Sequence, residues 1–298
     1  MKNFTNKVAF VTGASTGIGY ALAEALGRAG MRVMIAGINE QNLDGALAKL
    51  RAAGVTAERV QCDVGSRASV QSAAQATIAK FGKVHVVCNN AGVGMGGEIG
   101  SIPEGDWEWV IRVNLMGVVH GTEIFAPLLA QHGEGGHIVN TSSIAGLLAA
   151  PGMEPYAATK FAVVAMSEGW RLQLAPRGIG VSVLCPAFVR TSIGSGHRNR
   201  PGGPRSSGQA GSMVLNKLVE AGMDPKMLAA RVLEAIRDDE LYIFTHPEMK
   251  AIVEGRFNAI LEAFDHAAKS PALKDHKPQD LTLLTGPPPP QQAGRGMQ

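Results

Sequence analysis

Cysteine is scarce in this sequence, with three residues in 298. Cys62, Cys88 and Cys185 each lie in or beside a short apolar run, and their spacing matches no metal or redox motif. The eight histidines likewise show no metal-ligand spacing. We therefore expect three small buried core thiols in a reducing compartment, and no metal site.

Strong charge of one sign and long apolar runs are also absent. The formal net charge is +3 and the charged residues, 18% of the chain, are interspersed, whereas nucleic-acid binding usually requires a clustered basic patch. Residues 1–6 lack the apolar core of a signal peptide, and no apolar run approaches the roughly 18 residues of a membrane span. These absences predict a cytoplasmic protein with neither a nucleic-acid nor a membrane partner.

Glycine, in contrast, is abundant at 37 residues, and three glycines form the first motif. The apolar run 7–12 is typical of a buried parallel strand. The segment 13–19, GASTGIG, follows it and directly precedes a helix-periodic segment. Bare backbone N–H groups and the positive end of a helix dipole form a site for a pyrophosphate. The residues predicted to line this anion site are Gly13, Ser15, Thr16, Gly17, Ile18 and Gly19.

The second predicted strand, 32–38, ends where a dinucleotide-binding fold contacts the adenosine ribose. An acidic residue at this position binds the 2′-hydroxyl of NAD, whereas a nearby arginine accommodates the 2′-phosphate of NADP. Gly37 and Asn39 occupy the position here, and Glu40 is expected in the first turn of the following helix. The absence of a carboxylate favours NADP(H), and the absence of an arginine leaves NAD(H) possible.

The third and fourth predicted strands also end in residues suited to a bound nucleotide. Asp63 could accept a hydrogen bond from the adenine amino group while Val64 packs on the ring, or Asp63 could cap the helix that follows. Asn90, Ala91 and Gly92 come after the fourth strand, and such small residues let the backbone approach a bound ribose and nicotinamide.

Proton transfer is expected at Tyr156 and Lys160. Residues four apart lie on one helix face, and a cation beside a phenol favours the phenolate and lowers the phenol pKa from about 10. A phenol tuned in this way serves as a general acid and base. Ser143 follows the fifth predicted strand and lies 13 residues before Tyr156. A connection of that length can bring the Ser143 hydroxyl beside the Tyr156 phenol. Taken alone, Tyr156 and Lys160 could equally be a solvent-exposed i,i+4 pair on the surface of a helix.

Asn114 lies inside a long, largely apolar predicted helix, 106–129. An amide at such a place often marks a bend or a bound water. A buried structural amide is the alternative that we keep open.

Taken in order, these motifs resemble the short-chain dehydrogenase/reductase (SDR) family over about residues 5–250. The ordered set is TGASTGIG, CDV, NNAG, Asn114, Ser143 and YAATK. The resemblance implies an α/β fold: a single Rossmann domain with a doubly wound, seven-stranded parallel sheet in the order 3-2-1-4-5-6-7. It also implies a nicotinamide cofactor and assembly as a homodimer or homotetramer.

The resemblance further implies a catalytic tetrad and its roles. Tyr156 would exchange a proton with a secondary alcohol or its ketone. Lys160 would lower the pKa of Tyr156 and hold the nicotinamide ribose, and Ser143 would bind the substrate oxygen. Asn114 would hold a water that connects Lys160 to solvent. The expected activity is that of an NAD(P)-dependent oxidoreductase acting on CH–OH and C=O groups.

The segment after the sixth predicted strand both follows and departs from the family pattern. The resemblance implies cofactor contacts by Pro186, Val189 and Thr191. The family often has Pro-Gly at this point, whereas this chain has Pro186 followed by Ala187. The C-terminal part is similar to bacterial aryl Cα-dehydrogenase-like members of the family.

The predicted domain organisation is simple. We expect a catalytic domain over residues 1–270, with a lid inserted after the sixth strand at about 187–223 and a C-terminal helix at about 247–268. The Pro- and Gln-rich remainder, 271–298, is predicted to be an extended or disordered tail.

The expected substrate side is mostly apolar, which favours a small hydrophobic secondary alcohol or ketone over a sugar. Two other functions stay open: a catalytically silent nicotinamide-binding regulator, and an SDR epimerase or dehydratase. The residues expected to contact the substrate are Met95, Ser143, Leu147, Met153, Tyr156 and Phe188.

Overall fold

The structure is a computed structural model that describes residues 1–193, 200, 202–203, 217–277 and 279. The chain divides into two compact units, Met1–Met249 and a second unit that begins at Lys250. Each unit is described by itself below. The predicted domain end at residue 270 stays a prediction.

Seven parallel strands form one sheet in the order β3-β2-β1-β4-β5-β6-β7, which confirms the predicted α/β fold and strand order. The runs that form it are short, apolar and rich in β-branched residues, as buried parallel strands require. The strands are β1 (Val8–Thr12), β2 (Arg32–Gly37), β3 (Ala57–Gln61), β4 (Val86–Asn89), β5 (Gly136–Thr141), β6 (Ile179–Cys185) and β7 (Tyr242–Phe244).

Helices connect consecutive strands, and side chains cap several of them. Asn39 accepts a hydrogen bond from the Asn42 N–H at 2.9 Å, and Ser66 accepts one from the Ser69 N–H at 3.3 Å. The helices are α1 (Gly17–Arg28), α2 (Glu40–Ala52), α3 (Arg67–Phe81), α4 (Glu104–Val110), α5 (Gly117–Gln131), α6 (Glu154–Leu174), α7 (Pro225–Asp238) and α8 (Lys250–Ala268).

Two apolar layers cover the sheet, because successive residues of a strand point to opposite faces. In β1, Ala9 and Val11 pack with α1, α2 and α7, whereas Val8 and Phe10 pack with α3 and α5. The strand order reverses between β1 and β4. Loops that leave the carboxyl ends of these strands therefore diverge and open a crevice, the usual ligand position in such sheets.

The predicted long helix 106–129 is interrupted. Helix α4 passes into a π-helical turn, Ile111–Met116, before α5 begins. By length and composition the whole segment Glu104–Gln131 could span a membrane, with a mean hydropathy of 1.3. However, 56% of that apolar window is buried inside the fold, where Phe125 and Leu129 pack against the sheet. The segment is a core helix of this domain.

The structure describes only part of the predicted lid: residues 187–193, 200, 202–203 and 217–223. Residues 187–193 leave β6, and Val189 pairs with Met223 in a parallel bridge. Arg200 forms an ion pair with Asp106 of α4, and both side chains are largely buried. The predicted lid residues 194–199, 201 and 204–216 lie outside the described part of the chain.

The second unit begins with α8, which follows a 3-10 turn at Pro247–Met249. The large apolar side chains of this helix are exposed, among them Ile252, Leu261 and Phe264. The predicted tail starts with a 3-10 turn at Pro271–Leu273, and its residues 278 and 280–298 lie outside the described part.

Candidate active site

The crevice begins where β1 and β4 end side by side. The Thr12 hydroxyl accepts hydrogen bonds from the N–H groups of Asn90 (2.9 Å) and Ala91 (3.0 Å). The Asn90 amide donates in turn to the Thr12 carbonyl at 3.0 Å. These bonds join the residues that follow β4 to the start of the glycine loop, so that both predicted cofactor segments share one edge.

The glycine loop has the shape of an anion cradle. Gly13 and Gly17 have positive φ angles of 64° and 58°, which glycine adopts without strain. A Cβ on Gly13 would lie 2.8 Å from the Ala91 Cα, and one on Gly19 would lie 2.4 Å from the Gly13 carbonyl oxygen. Helix α1 starts at Gly17, and within the described residues Thr16 does not cap it with its side chain. Its first N–H groups remain available to a pyrophosphate, and the loop therefore fits a dinucleotide. Ser15 and Ile18 lie in the same loop, both partly exposed.

At the ribose end of the predicted nucleotide site, the structure shows ion pairs that the sequence did not predict. Gly37 ends β2, and the Asn39 carboxamide is used as the cap of α2. Arg59 on β3 forms ion pairs with both Glu40 and Asp44. The Arg59 guanidinium is thus near the start of α2, where it is already paired with two carboxylates. The register of β2 against β3 brings it there, and no local motif indicates it.

At the adenine end of the predicted nucleotide site, one of the two roles considered for Asp63 is wrong. Ser66, and not Asp63, caps α3. The Asp63 carboxylate instead accepts a hydrogen bond from the Gly65 N–H at 2.9 Å and closes the turn after β3. Val64 is buried, and a Cβ on Gly117 would lie 2.8 Å from its Cγ2, so Val64 packs closely against the start of α5.

Tyr156 and Lys160 lie near the start of α6, and both are buried, with 9% and 3% exposure. The Lys160 ammonium donates a hydrogen bond to the Thr141 carbonyl at 2.9 Å and lies 5.5 Å from the Tyr156 ring centroid. A Cβ on Gly92 would lie 3.6 Å from the Lys160 Nζ. Because Gly92 has no side chain, the backbone after β4 comes close to this ammonium.

Burial controls the titration of both groups in the ligand-free chain. Burial lowers the pKa of Lys160 from 10.5 to about 8, so the side chain is still mostly protonated at neutral pH. Burial raises the pKa of Tyr156, and hydrogen bonding to Ser143 opposes that rise. The net direction is opposite to the one expected from a neighbouring cation, because desolvation by burial is the largest cause.

Ser143 lies between the end of β5 and the loop after β6. Its hydroxyl donates to the Pro186 carbonyl at 3.3 Å and accepts from the Ala145 N–H at 3.1 Å. The hydrogen bonding that affects the pKa of Tyr156 places the same hydroxyl beside the phenol. A substrate oxygen bound here would meet two hydroxyl groups and, behind them, one ammonium.

Asn114 is fully buried in the π-helical turn. Its carboxamide accepts from the Val93 N–H at 2.8 Å and donates to the Val93 carbonyl at 2.9 Å. A π turn contains one more residue than an α turn and often occurs at functional sites. These two bonds tie the π-helical turn to the segment that follows β4, as a buried structural amide would.

An unpaired buried hydroxyl completes the polar part of the site. Thr141 Oγ1 has no hydrogen-bond partner among the described residues, while the carbonyl of the same residue holds Lys160. Buried polar atoms are normally paired. An orphan at this point is consistent with a site that receives a polar ligand.

The predicted substrate residues lie in different environments. Met95 packs on the cluster formed by Trp109 and its neighbours. Leu147 is buried in a core cluster, whereas Met153 and Phe188 are partly exposed. The Gly97 N–H donates to the Gly152 carbonyl at 2.8 Å, so the segment after β4 is joined to the turn before α6.

The loop after β6 connects the two halves of the site. Pro186 accepts from Ser143 as described, and Val189 is buried. The side chain of Thr191 lies 3.2 Å from the position that a Cβ on Gly17 would take. The three residues predicted to contact the cofactor here thus extend from the tetrad to the glycine loop. Ala187 has a negative φ, so alanine fits where the family often has glycine.

A cluster of His85, His132 and Glu134 lies at the opposite end of the sheet, with its ligand-type atoms within 4.8 Å of one another. Both ring nitrogens of each histidine already make hydrogen bonds. Lys7 and Lys83 also pair with the carboxylate, which disfavours a cation. Hydrogen bonding accounts for this cluster without a metal.

A doubly wound parallel sheet with a glycine loop at its switch point defines a dinucleotide-binding protein. The family described as short chain dehydrogenase matches residues 7–201. A Cα-dehydrogenase of Sphingobium sp. (strain NBRC 103272 / SYK-6) is 34% identical over 268 residues, with 88% of each chain covered. A short-chain dehydrogenase/reductase from Burkholderia phymatum, solved with NAD, is 39% identical with a TM-score of 0.85, covering 94% of this chain and 100% of that one.

The likeness extends to enzymes solved with the other nicotinamide nucleotide. A variant of actinorhodin polyketide ketoreductase in complex with NADPH is 29% identical with a TM-score of 0.71, covering 82% of this chain and 97% of that one. This chain belongs to the short-chain dehydrogenase/reductase family. It is an NAD(P)-dependent oxidoreductase acting on alcohol and carbonyl groups.

Proposed function

We propose that this oxidoreductase interconverts a small hydrophobic secondary alcohol and its ketone, with Tyr156 as the general acid and base. The observation that carries the proposal is the arrangement around the buried Tyr156 phenol. The Ser143 hydroxyl lies near enough to the phenol to oppose the rise in its pKa, and the Lys160 Nζ lies 5.5 Å from the Tyr156 ring centroid. Few other groups in the crevice can exchange a proton with a substrate oxygen.

The bound nicotinamide would supply or accept the hydride, and the side chains of this chain would move the proton. In the oxidation direction the deprotonated Tyr156 oxygen takes the alcohol proton, and in reduction the neutral Tyr156 hydroxyl gives its proton to the ketone oxygen. Ser143 donates a hydrogen bond to the same substrate oxygen and stabilises charge that develops there. Because burial raises the pKa of Tyr156, the neutral phenol is ready to act as the acid.

Lys160 and Asn114 would support that proton transfer. With a pKa near 8, Lys160 is still a cation at neutral pH, and its charge favours the phenolate form of Tyr156. It also holds the nicotinamide ribose in our proposal. Asn114 would hold a water in the widened π turn, next to Gly92 and Lys160, that leads from Lys160 to solvent.

A hydrophobic substrate is supported by the apolar side chains predicted to contact it and by the similarity to a Cα-dehydrogenase. Met95, Met153 and Phe188 offer apolar and adaptable contacts. The test compares turnover of an apolar aryl ketone with that of a polyol under saturating cofactor. We expect the aryl ketone to be the better substrate, and a better polyol would refute the hydrophobic assignment.

The same assay separates the remaining function classes. A dehydrogenase consumes the nicotinamide cofactor in proportion to product, whereas an epimerase or dehydratase leaves it unchanged after each cycle. A regulator binds the cofactor and turns over none of the substrates. Net stoichiometric consumption of cofactor is the expected result.

We propose that NADP(H) is preferred over NAD(H), supported by the absence of a carboxylate side chain at Gly37 and Asn39. Asn39→Asp tests this, because Asp caps a helix as well as Asn does and adds a negative charge at the ribose end. Titrations that follow nicotinamide fluorescence should show tighter binding of NADPH than of NADH. In the variant, affinity for NADPH should fall about tenfold while that for NADH changes little. Tighter binding of NADH by the unmodified protein would contradict the preference.

We also propose a cytoplasmic homodimer or homotetramer. Ile111 and Met116 in the π turn and Leu172 on α6 are large apolar residues that stay exposed. Burial of such residues between copies is a common source of assembly. Light scattering on the purified protein gives the mass directly, and a monomer at all concentrations would rule the proposal out.

A further inference from the structure

His246 follows β7 almost directly, and its imidazole contacts the loop that leaves β6. Its Nδ1 lies 3.2 Å from the Ala187 nitrogen, whose N–H donates to it, and its Nε2 lies 3.1 Å from the Phe188 carbonyl oxygen. The Thr245 hydroxyl also lies 2.8 Å from Nδ1. Because Nδ1 must accept from the Ala187 N–H, the satisfied form is the neutral tautomer with its proton on Nε2.

The strand register explains why a side chain makes these bonds. Cys185 of β6 pairs with Phe244 of β7, so Pro186 and Thr245 are the next partners along the ladder. Proline has no N–H, and the ladder cannot continue through it. The next backbone donor, at Ala187, would lose its strand partner, and the imidazole takes the place of the missing ladder bond.

The loop that His246 holds continues to the glycine loop. The Phe188 carbonyl accepts a second hydrogen bond, from the Met223 N–H at 2.9 Å. Further along, Thr191 lies against Gly17, and the hydroxyls of Ser192 and Thr16 lie 3.5 Å apart. A shift of the backbone at Phe188 would therefore move Thr191 relative to the start of α1.

We propose that His246 is a positioning residue for the nicotinamide cofactor. Its imidazole fixes the backbone of Ala187 and Phe188, and so holds the segment up to Thr191 beside the pyrophosphate-binding glycine loop. The inference rests on the cofactor site of the proposed function and is independent of the substrate.

The test measures cofactor binding in His246→Ala and His246→Asn by nicotinamide fluorescence, with NADPH and NADH titrated separately. Loss of both hydrogen bonds in His246→Ala should weaken binding of the preferred nucleotide about tenfold. Asn carries an acceptor and a donor on one side chain, so His246→Asn should recover most of that affinity. In turnover assays the KM for the cofactor should rise while kcat at saturation changes little.

His132→Ala is the matched control. Its ring also binds one backbone N–H, of Glu134 at 3.1 Å, and one carbonyl, of Val84 at 2.7 Å, but at the opposite end of the sheet. We expect it to lower the thermal unfolding temperature as His246→Ala does, with unchanged cofactor affinity. His246→Leu, which fills the space without hydrogen bonds, replaces the alanine variant if that variant does not fold.

Three results would overturn the positioning role: unchanged affinity in His246→Ala, an asparagine variant as weak as the alanine variant, or an equal loss of affinity in His132→Ala. A wild-type protein that binds neither NADPH nor NADH would instead refute the proposed function itself, and the positioning role with it.

Discussion

Two buried basic side chains lie at opposite ends of strand β5, where Lys160 contacts the strand and His137 belongs to it. The Lys160 ammonium binds the Thr141 carbonyl at the carboxyl end. His137 is buried near the amino end, where its Nε2 lies 2.8 Å from the Ser182 hydroxyl. Burial lowers the pKa of both, to about 8 for Lys160 and about 3 for His137. At neutral pH the lysine is therefore charged where proton transfer is proposed, and the histidine is a neutral core residue.

His137 makes the stability of the fold sensitive to acid. Its pKa is about 3 in the folded chain against 6.5 as the ordinary value. The unfolded state thus binds more protons between these values, and the contribution of His137 is present above pH 6.5 and is lost as the pH falls toward 3. We expect protonation of this one residue in the unfolded state to lower the unfolding free energy by on the order of 3 kcal/mol between pH 6.5 and pH 4.

Urea unfolding at a series of pH values measures that loss in the wild type and in His137→Gln, which keeps a donor for Ser182. The variant should lose less stability on acidification than the wild type. His276→Gln, at an exposed histidine, should leave the pH dependence unchanged. Equal slopes in all three proteins would show that His137 is not buried as a neutral base.

For single residues, the sequence indicates which side chains suit proton transfer better than it indicates which distant residues contact each other. Tyr156, Lys160 and Ser143 could be chosen because their types and spacing suit proton transfer. Arg59 could not, since only the pairing of β3 with β2 brings it to Glu40 and Asp44. The same holds for His246, which meets Ala187 through the register of β6 and β7.

Among the elements, α5 is fixed to the sheet by a contact that requires glycine. A Cβ on Gly121 would lie only 1.9 Å from Asn89 Oδ1. The Asn89 amide also donates to Asn140 at 2.9 Å and to Thr122 at 3.2 Å, so it has little freedom to move. We expect Gly121→Ala to lower the unfolding free energy by about 2 to 3 kcal/mol, because it overpacks this junction.

Gly45→Ala in α2 should instead raise the unfolding free energy in the same measurement. No atom lies within 4 Å of a Cβ at Gly45, and alanine restricts the unfolded chain more than glycine does. The variant should gain about 0.5 to 1 kcal/mol in denaturant unfolding. If Gly121→Ala proved equally stabilising, the close approach of α5 to Asn89 would be wrong.

The predicted helix 106–129 contains a local feature that its sequence pattern does not predict. Apolar spacing predicts a continuous helix over 106–129, and the structure has a π-helical turn inside it, at Ile111–Met116. The extra residue of that turn depends on the bonds between Asn114 and Val93, which are distant in sequence. Hydrophobic periodicity alone does not register such a local widening.

For the whole molecule, the short apolar runs predicted the individual strands, and the resemblance to the family supplied the seven-stranded sheet and its strand order. Each run is followed by a glycine-rich or polar turn, and a right-handed crossover helix then places the next parallel strand. The reversal of order between β1 and β4 brings the glycine loop, the residues after β4 and the tetrad to one edge. The division at Lys250 was not predicted, because it falls inside the predicted C-terminal helix, about 247–268, which we assigned to the catalytic domain.

The most direct test of the account is turnover by Tyr156→Phe beside Tyr242→Phe. Tyr242 is a partly exposed tyrosine whose hydroxyl binds Glu168 at 2.6 Å, so its variant controls for the loss of a phenol oxygen alone. With an aryl ketone and saturating cofactor, Tyr156→Phe should lose at least about a thousandfold in kcat, with cofactor affinity within about twofold of wild type. Tyr242→Phe should keep nearly full activity. Substantial turnover by Tyr156→Phe would contradict the assignment of the general acid and base.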